Sequence, residues 1–139
     1  MSYRETVDQY IQRFGGLVEV DIDPLDETGY TSVSRGNATV GINVIEDRAV
    51  LLLLSPIMKV PAKADVELYA LLLELNYLAT SDASFAISRD QNLICLRALR
   101  GIQGLDFEEF VDLLDTVATT ADQWADRLRA EYADDESPD

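Results

Sequence analysis

The stretch that decides the fold is Asp65–Leu78, with the sequence DVELYALLLELNYL. At about 100° per residue, a helix over these residues has two apolar stripes on opposite sides. The first stripe consists of Leu68, Leu71, Leu72, Leu75 and Ala79. The second stripe consists of Val66, Tyr69, Ala70, Leu73 and Tyr77. A helix that is apolar on two sides has to be covered on both. We therefore expect the sheet of the chain to cover one stripe, and either other helices of the same chain or a second copy to cover the other.

Strand-like segments lie on both sides of this central helix. The segments before it are 17–23, 30–35, 38–45 and 49–58, and those after it are 85–89 and 93–99. In the first of them apolar and acidic residues alternate strictly, which predicts a strand with one wet face. Leu51–Leu54 is apolar at consecutive positions, which predicts a central strand covered on both faces. The links are of hairpin length and predict a mostly antiparallel sheet.

Two further helices begin at capping boxes. Ser2 with Glu5 predicts the start of a first helix, and the pair Gly15-Gly16 predicts its end. Asp106 with Glu109 predicts the start of a long last helix. Its apolar stripe comprises Phe107, Phe110, Leu114, Val117, Ala121, Trp124 and Leu128. Each of these helices has one apolar side, as expected for a helix that lies on a core.

The predicted fold class is α+β, with the order α-β-β-β-α-β-β-α and a mostly antiparallel five-stranded sheet packed against helices. Four strand-like segments precede the central helix, and this predicted order includes three of them as strands of the sheet. We expect residues 1–130 to form a single domain, since the length suits one domain. In residues 131–139 five of nine residues are acidic, which predicts a disordered tail.

Net charge is the strongest compositional signal. The chain has 11 Lys and Arg against 26 Asp and Glu, a formal charge of −15. This charge repels phosphate groups and predicts that neither nucleic acid nor an anionic membrane is a partner. It favours basic partners, although solubility or a saline habitat would explain it as well. No apolar run approaches 18 residues and the N-terminus has no apolar signal region, so we expect a cytoplasmic protein.

Few residues suited to catalysis are present. The chain has no histidine, and its one cysteine, Cys95, lies between Ile94 and Leu96, which predicts a buried thiol. Both common phosphate-binding glycine motifs are absent. We therefore predict no enzymatic activity, no cofactor and no metal, although an enzyme that uses carboxylates alone stays open. An alternative function is a small-molecule or cation sensor that uses the acidic face of the first strand, formed by Glu19, Asp21 and Asp23.

The stretch Leu71–Leu128 resembles the YbjN-like proteins, which share a fold with the type III secretion chaperones. The similar residues are Leu75-Asn76 at the end of the central helix, FAISRDQNL at 85–93, and the capped helix that reaches Trp124. With the preceding elements, the resemblance covers most of residues 2–130. The turn Asp90-Gln91-Asn92 departs from the Asp-Gly turn of many relatives. The resemblance implies a small acidic homodimer without catalysis or cofactor. It also implies that the sheet and first helix hold a partner segment in extended form, and regulation of signalling is the usual description of the YbjN-like branch.

The predicted function is accordingly a non-catalytic dimeric protein-binding module, chaperone-like or regulatory. Its expected partners are a second copy of itself and an unidentified protein client. The predicted dimer interface is the second stripe: Val66, Tyr69, Ala70, Leu73 and Tyr77. The predicted partner-binding residues lie on the first helix and first strand: Tyr3, Val7, Tyr10, Val18, Val20 and Ile22.

Overall fold

The computed structural model describes residues 1–78 and 82–134. The elements, in order, are α1 (Tyr3–Val18), β1 (Tyr30–Arg35), β2 (Ala38–Ile45), a short 3-10 helix (Glu46–Arg48), β3 (Val50–Lys59), α2 (Val66–Leu78), β4 (Ser84–Ser88), β5 (Leu93–Gly101) and α3 (Phe107–Tyr132). The predicted α+β class and element order are confirmed, as are the capping boxes that begin α1 and α3. Two predicted features lie partly outside the described residues. One is residues 79–81, which include Ala79 of the first stripe and the start of the following loop, and the other is residues 135–139 of the predicted tail.

The five strands form one antiparallel sheet in the order β1-β2-β3-β5-β4. The long apolar strand β3 is central, as predicted, with Leu53 opposite Ile42 of β2 and Ala98 of β5. Side chains of α1, α2 and α3 join Leu51 and Leu53 in one hydrophobic core. This core occupies one face of the sheet, and α3 packs across four of the five strands.

The opposite face of the sheet is open. Leu52 and Leu54, which alternate with the core residues of β3, are only half-buried, and Leu99 on β5 is 52% exposed. The expectation that Leu51–Leu54 is covered on both faces is therefore wrong for the single chain. All three helices contribute side chains to the core on one face, so none of them is placed to cover the other face.

The predicted end of α1 at Gly15-Gly16 is also wrong. The helix continues through Gly16 to Val18 and ends at Glu19, which has a left-handed conformation with φ of 58°. Gly15 is needed for close packing, because a Cβ atom there would lie 2.7 Å from the carbonyl oxygen of Val20. The chain folds back tightly over the helix at this point, and only glycine leaves room for it.

The predicted strand over 17–23 does not form, because its residues make no strand ladder with the described sheet and are bound mainly to α1. A side-chain bond from the sheet also reaches the segment, since the Thr31 hydroxyl on β1 donates to the carbonyl oxygen of Asp23 at 2.8 Å. Gln12 Nε2 donates to the carbonyl oxygen of Ile22 at 3.2 Å. The backbone N–H of Leu25 donates to Asp8 Oδ1 at 2.8 Å. Leu17 and Val18 form the end of α1, and residues 19–23 lie along the helix as irregular chain, with Ile22 buried against it. As a consequence, no strand face is shared by the three acidic residues Glu19, Asp21 and Asp23.

The last helix is longer than predicted. It includes Glu131 and Tyr132, the first two residues of the predicted tail. Tyr132 packs against the core, which holds the final turn in place.

Candidate protein-binding surfaces

The two stripes of α2 have different environments. In the first stripe Leu68, Leu72 and Leu75 are buried in the core. In the second stripe Val66 is 79%, Leu73 70% and Tyr77 86% exposed. Ala70 is also exposed, whereas Tyr69 is half-buried. Within residues 1–78 and 82–134, no element covers this second stripe.

Side-chain hydrogen bonds fix α2 at both of its ends. Asp65 Oδ1 accepts from the backbone N–H of Leu68 at 3.1 Å and caps the first turn. Near the other end, Asn76 Oδ1 accepts from the backbone N–H of Phe85 at 2.7 Å, and Asn76 Nδ2 donates to the Phe85 carbonyl oxygen at 3.1 Å. Because β4 is an edge strand, these two bonds satisfy backbone groups that have no neighbouring strand. The helix is thereby held against the sheet with its second stripe facing outward.

A groove lies between the C-terminal part of α1 and the N-terminal half of α3. It has a volume of about 370 Å³ and is lined by Phe14, Leu17, Val18, Arg35, Phe107, Glu108, Val111, Asp112 and Asp115. The two helices are joined beside it by Tyr10, whose hydroxyl donates to the carbonyl oxygen of Leu105 at 2.8 Å. The ring of Tyr10 meets that of Phe107 edge-on, with centroids 5.8 Å apart. We call this feature the α1–α3 groove.

The open face of the sheet contains a second groove, of about 460 Å³. Tyr30, Gly41, Leu52, Leu54, Pro56 and Cys95 are among the residues that line it. The ring of Tyr30 lies over Gly41, where a Cβ atom would approach it to 3.0 Å. Cys95 is buried, as predicted, and burial raises the pKa of its thiol. A raised pKa favours the protonated thiol over the reactive thiolate.

The predicted partner-binding residues are not brought together on one surface. Val7 is buried in the core and is not available to a partner, whereas Ile22, although largely buried, lines a surface groove together with Val20. Tyr3 and Tyr10 are half-buried, and the hydroxyl of Tyr10 is already bonded. Val20 is 46% exposed on the irregular segment. Of the six residues, only Val18 lines the α1–α3 groove.

The acidic residues after α1 do not form a metal site in this structure. Glu19, Asp21 and Asp23 are all exposed. In the same loop, the carboxylate of Asp26 accepts hydrogen bonds from the hydroxyl and backbone N–H of Thr28 and from the backbone N–H of Tyr30. These bonds lower the pKa of Asp26, and the bond from the Thr28 hydroxyl has the largest effect, followed by that from the Tyr30 backbone. Among the described residues, no group of three or more acidic or cysteine side chains is arranged to hold a metal ion. The geometric basis of the cation-sensor alternative is therefore lost.

The same part of the chain contains no helix with the length and apolar character needed to cross a membrane.

The sheet order and the helix placement are similar to those of several solved structures. The ExsC-ExsE complex matches with a TM-score of 0.72 at 19% identity, covering 91% of this chain and 96% of that chain. The type III secretion chaperone SycH of Yersinia pestis, solved with a fragment of YscM2, matches with a TM-score of 0.60 at 15% identity, covering 84% and 97%. YbjN from E. coli matches with a TM-score of 0.65 at 16% identity, covering 91% of both chains. A comparison with curated protein sequences gives no match.

These likenesses define the fold as the α+β fold of the type III secretion chaperones. The particular family follows from the sequence match over residues 9–125: the chain belongs to the Tir chaperone protein (CesT) family. The predicted resemblance to the YbjN-like and type III secretion chaperone fold is thereby confirmed.

Proposed function

We propose that this protein is a non-catalytic homodimer that binds another polypeptide, as a chaperone or a regulator, in the cytoplasm. The observation that supports this proposal best is the second stripe of α2, in which Val66, Leu73 and Tyr77 expose most of their surface to water. A monomeric protein seldom exposes a contiguous row of large apolar side chains without using it as a contact surface. Family membership and the solved chaperone complexes support protein binding as the use of the fold.

The proposed dimer interface is the second stripe on each copy, related by a two-fold axis. Tyrosine suits such an interface because its ring buries apolar area while its hydroxyl reaches a polar partner. Tyr69 and Tyr77 are both in this stripe, and Tyr77 is 86% exposed. The Asn76–Phe85 hydrogen bonds support the proposal because they fix the helix that presents the stripe.

Two arginine substitutions on adjacent residues test the dimer interface. Leu73→Arg places a charge on the outward stripe, and we expect a folded monomer with a mass near 15.5 kDa in light scattering. Leu72→Arg places the charge at a buried position, and we expect the domain to unfold because a buried unpaired charge is strongly unfavourable. A Leu73→Arg protein that is still dimeric would refute the proposed interface.

Leu99→Arg is the matched control, since Leu99 is exposed but lies on the open face of the sheet. We expect this variant to remain a dimer. If Leu99→Arg gives monomers and Leu73→Arg does not, the copies associate through the sheet.

Native mass spectrometry of the tagged protein purified from its own host tests for a client, meaning a polypeptide that the protein holds. A dimer with a second polypeptide bound would support the proposal and identify the client. A monomer with a bound small molecule would contradict it.

A further inference from the structure

The α1–α3 groove has an open apolar floor. Leu17 is 67% exposed although it is a large aliphatic side chain on a helix. Val18, Phe107 and Val111 are half-buried around it. The volume of about 370 Å³ is near the lower end of the range, about 300–1,000 Å³, that is usual for ligand sites. The floor therefore suits a small number of apolar side chains.

The rim of the groove is acidic. Glu108 and Asp112 are four residues apart on α3, and both are exposed. Within the described residues neither forms an ion pair, whereas Asp115, one turn further, pairs with Arg35 at 3.2 Å. A pair of unpartnered carboxylates beside an apolar floor is complementary to an apolar side chain with basic neighbours.

The two arginines near the groove are engaged with aromatic rings. The guanidinium of Arg13 lies 4.2 Å from the centroid of the Phe107 ring, and that of Arg35 lies 5.1 Å from that of Phe14. Arg35 itself lines the groove, and its ion pair is with Asp115. Glu108 and Asp112 therefore have no ion-pair partner among the described residues.

We propose that the α1–α3 groove binds a segment of the client in which an apolar residue is flanked by lysine or arginine. This inference rests on the proposed function, because it names the client's chemistry and the surface that holds it. A second copy of the chain is a poor occupant, since its net charge of −15 would add to the negative charge of the rim. A metal ion is equally unsuitable, because no group of three or more acidic side chains in the described part of the chain is arranged to hold one.

Fluorescence anisotropy with three labelled peptides of equal length tests the chemistry. The first repeats Leu-Lys-Ser-Lys, the second has Glu in place of Lys, and the third has Ser in place of Leu. We expect the wild-type protein to bind the first peptide more tightly than either of the others. Equal binding of the first and third peptides would refute the role of the apolar floor.

Two variants test the location. We expect Glu108→Gln combined with Asp112→Asn to weaken binding of the first peptide about fivefold, because each exposed ion pair contributes less than about 1 kcal/mol. We expect Leu17→Ser to weaken it roughly tenfold through lost apolar contact. Circular dichroism checks that each variant is folded.

Two control variants match these changes elsewhere on the molecule. Glu27→Gln combined with Asp47→Asn removes the same charge from two exposed residues that lie outside the groove lining. Leu99→Ser removes an exposed leucine from the open sheet face. We expect both control proteins to bind within about twofold of wild type, since their changes lie outside the groove.

Two results would overturn the inference. If the control charge pair weakens binding as much as the groove pair, the peptide is attracted to the acidic protein in general. If Leu99→Ser abolishes binding and Leu17→Ser does not, the client segment lies on the sheet. In both cases the dimer and the client would still be detected by light scattering and native mass spectrometry, so the proposed function would stand.

Discussion

Removal of the Asn76 side chain tests how α2 is fixed to the sheet. Asn76→Ala deletes both hydrogen bonds to the backbone of Phe85, at 2.7 and 3.1 Å. A neutral hydrogen bond contributes about 0.5–1.5 kcal/mol net, and here the loss leaves an N–H and a C=O of an edge strand unpaired. We expect the free energy of unfolding to fall by about 2 kcal/mol. If the free energy of unfolding falls by about 2 kcal/mol per molar urea, this loss lowers the urea concentration at the midpoint of unfolding by about 1 M.

Asn76→Asp distinguishes the donor from the acceptor. At neutral pH one oxygen of the introduced carboxylate still accepts the hydrogen bond from the Phe85 N–H. Its second oxygen replaces the donor Nδ2 and repels the Phe85 carbonyl oxygen. Protonation restores a donor, so the pKa of the introduced carboxyl in the folded protein rises above its usual value of about 4. The folded state then binds the proton more tightly than the unfolded state. Stability relative to wild type is therefore largely restored below about pH 4 and is lost as the pH rises through the folded-state pKa.

Urea titration followed by circular dichroism measures both effects at a fixed protein concentration, because the proposed dimer would make stability depend on concentration. Gln123→Ala is the control, since Gln123 is an exposed amide on α3, and its change should be within about 0.5 kcal/mol. An Asn76→Ala protein as stable as the control would refute the role of the two bonds. A difference between Asn76→Asp and wild type that does not depend on pH would refute the assignment of the donor.

Three further predictions follow from other local features. Gly15→Ala should destabilise the domain, because its Cβ would lie 2.7 Å from the Val20 carbonyl oxygen. Gly16→Ala places its Cβ in open space and should raise the free energy of unfolding by about 0.5–1 kcal/mol. Thermal unfolding compares the two variants, and equal melting temperatures would contradict this prediction. Cys95 should react slowly with a thiol reagent near neutral pH until urea unfolds the protein, because burial raises its pKa, and fast reaction of the native protein would contradict this. Asp106→Ala should cost about 1 kcal/mol by removing the N-cap of α3, and an unchanged urea midpoint would show that the cap is dispensable.

Local signals in the sequence were sufficient for most of the fold. The capping boxes at Ser2 and Asp106 set the starts of α1 and α3, because both side chains of each box are within three residues of each other. Alternating apolar residues predicted β2, and a continuous apolar run predicted β3. Helical spacing predicted the buried stripe of α2, because burial on one side follows directly from side-chain spacing. The exposed second stripe of α2 was visible for the same reason.

The errors occurred where a tertiary contact determines the backbone. Gly15 has the pattern of a helix end, but it is a glycine because the carbonyl of Val20 packs against it. The alternation of Val18, Val20 and Ile22 is typical of a strand, yet Ile22 is buried on α1. Neither contact can be read from spacing, because each depends on the chain folding back on itself.

The α1–α3 groove was missed for a related reason. Its floor joins Leu17 to Val111, residues far apart in sequence, on two helices whose packing is not predictable from either alone. Leu17 continues the apolar spacing of α1, seven residues after Tyr10, so nothing in the spacing marked it as a residue that would lie exposed in a groove.

The two proposed contacts respond to salt in opposite directions, and this separates them. Association of two copies brings together chains of −15 each, so repulsion opposes a dimer that apolar side chains hold. Screening increases as the Debye length falls from about 10 Å at 0.1 M to about 3 Å at 1 M, and the dimer should therefore tighten with added salt. The same screening weakens the attraction between Glu108 or Asp112 and a basic peptide, so binding in the groove should weaken. A dimer that dissociates with added salt would mean that ion pairs hold it, and the second stripe of α2 would not be its interface.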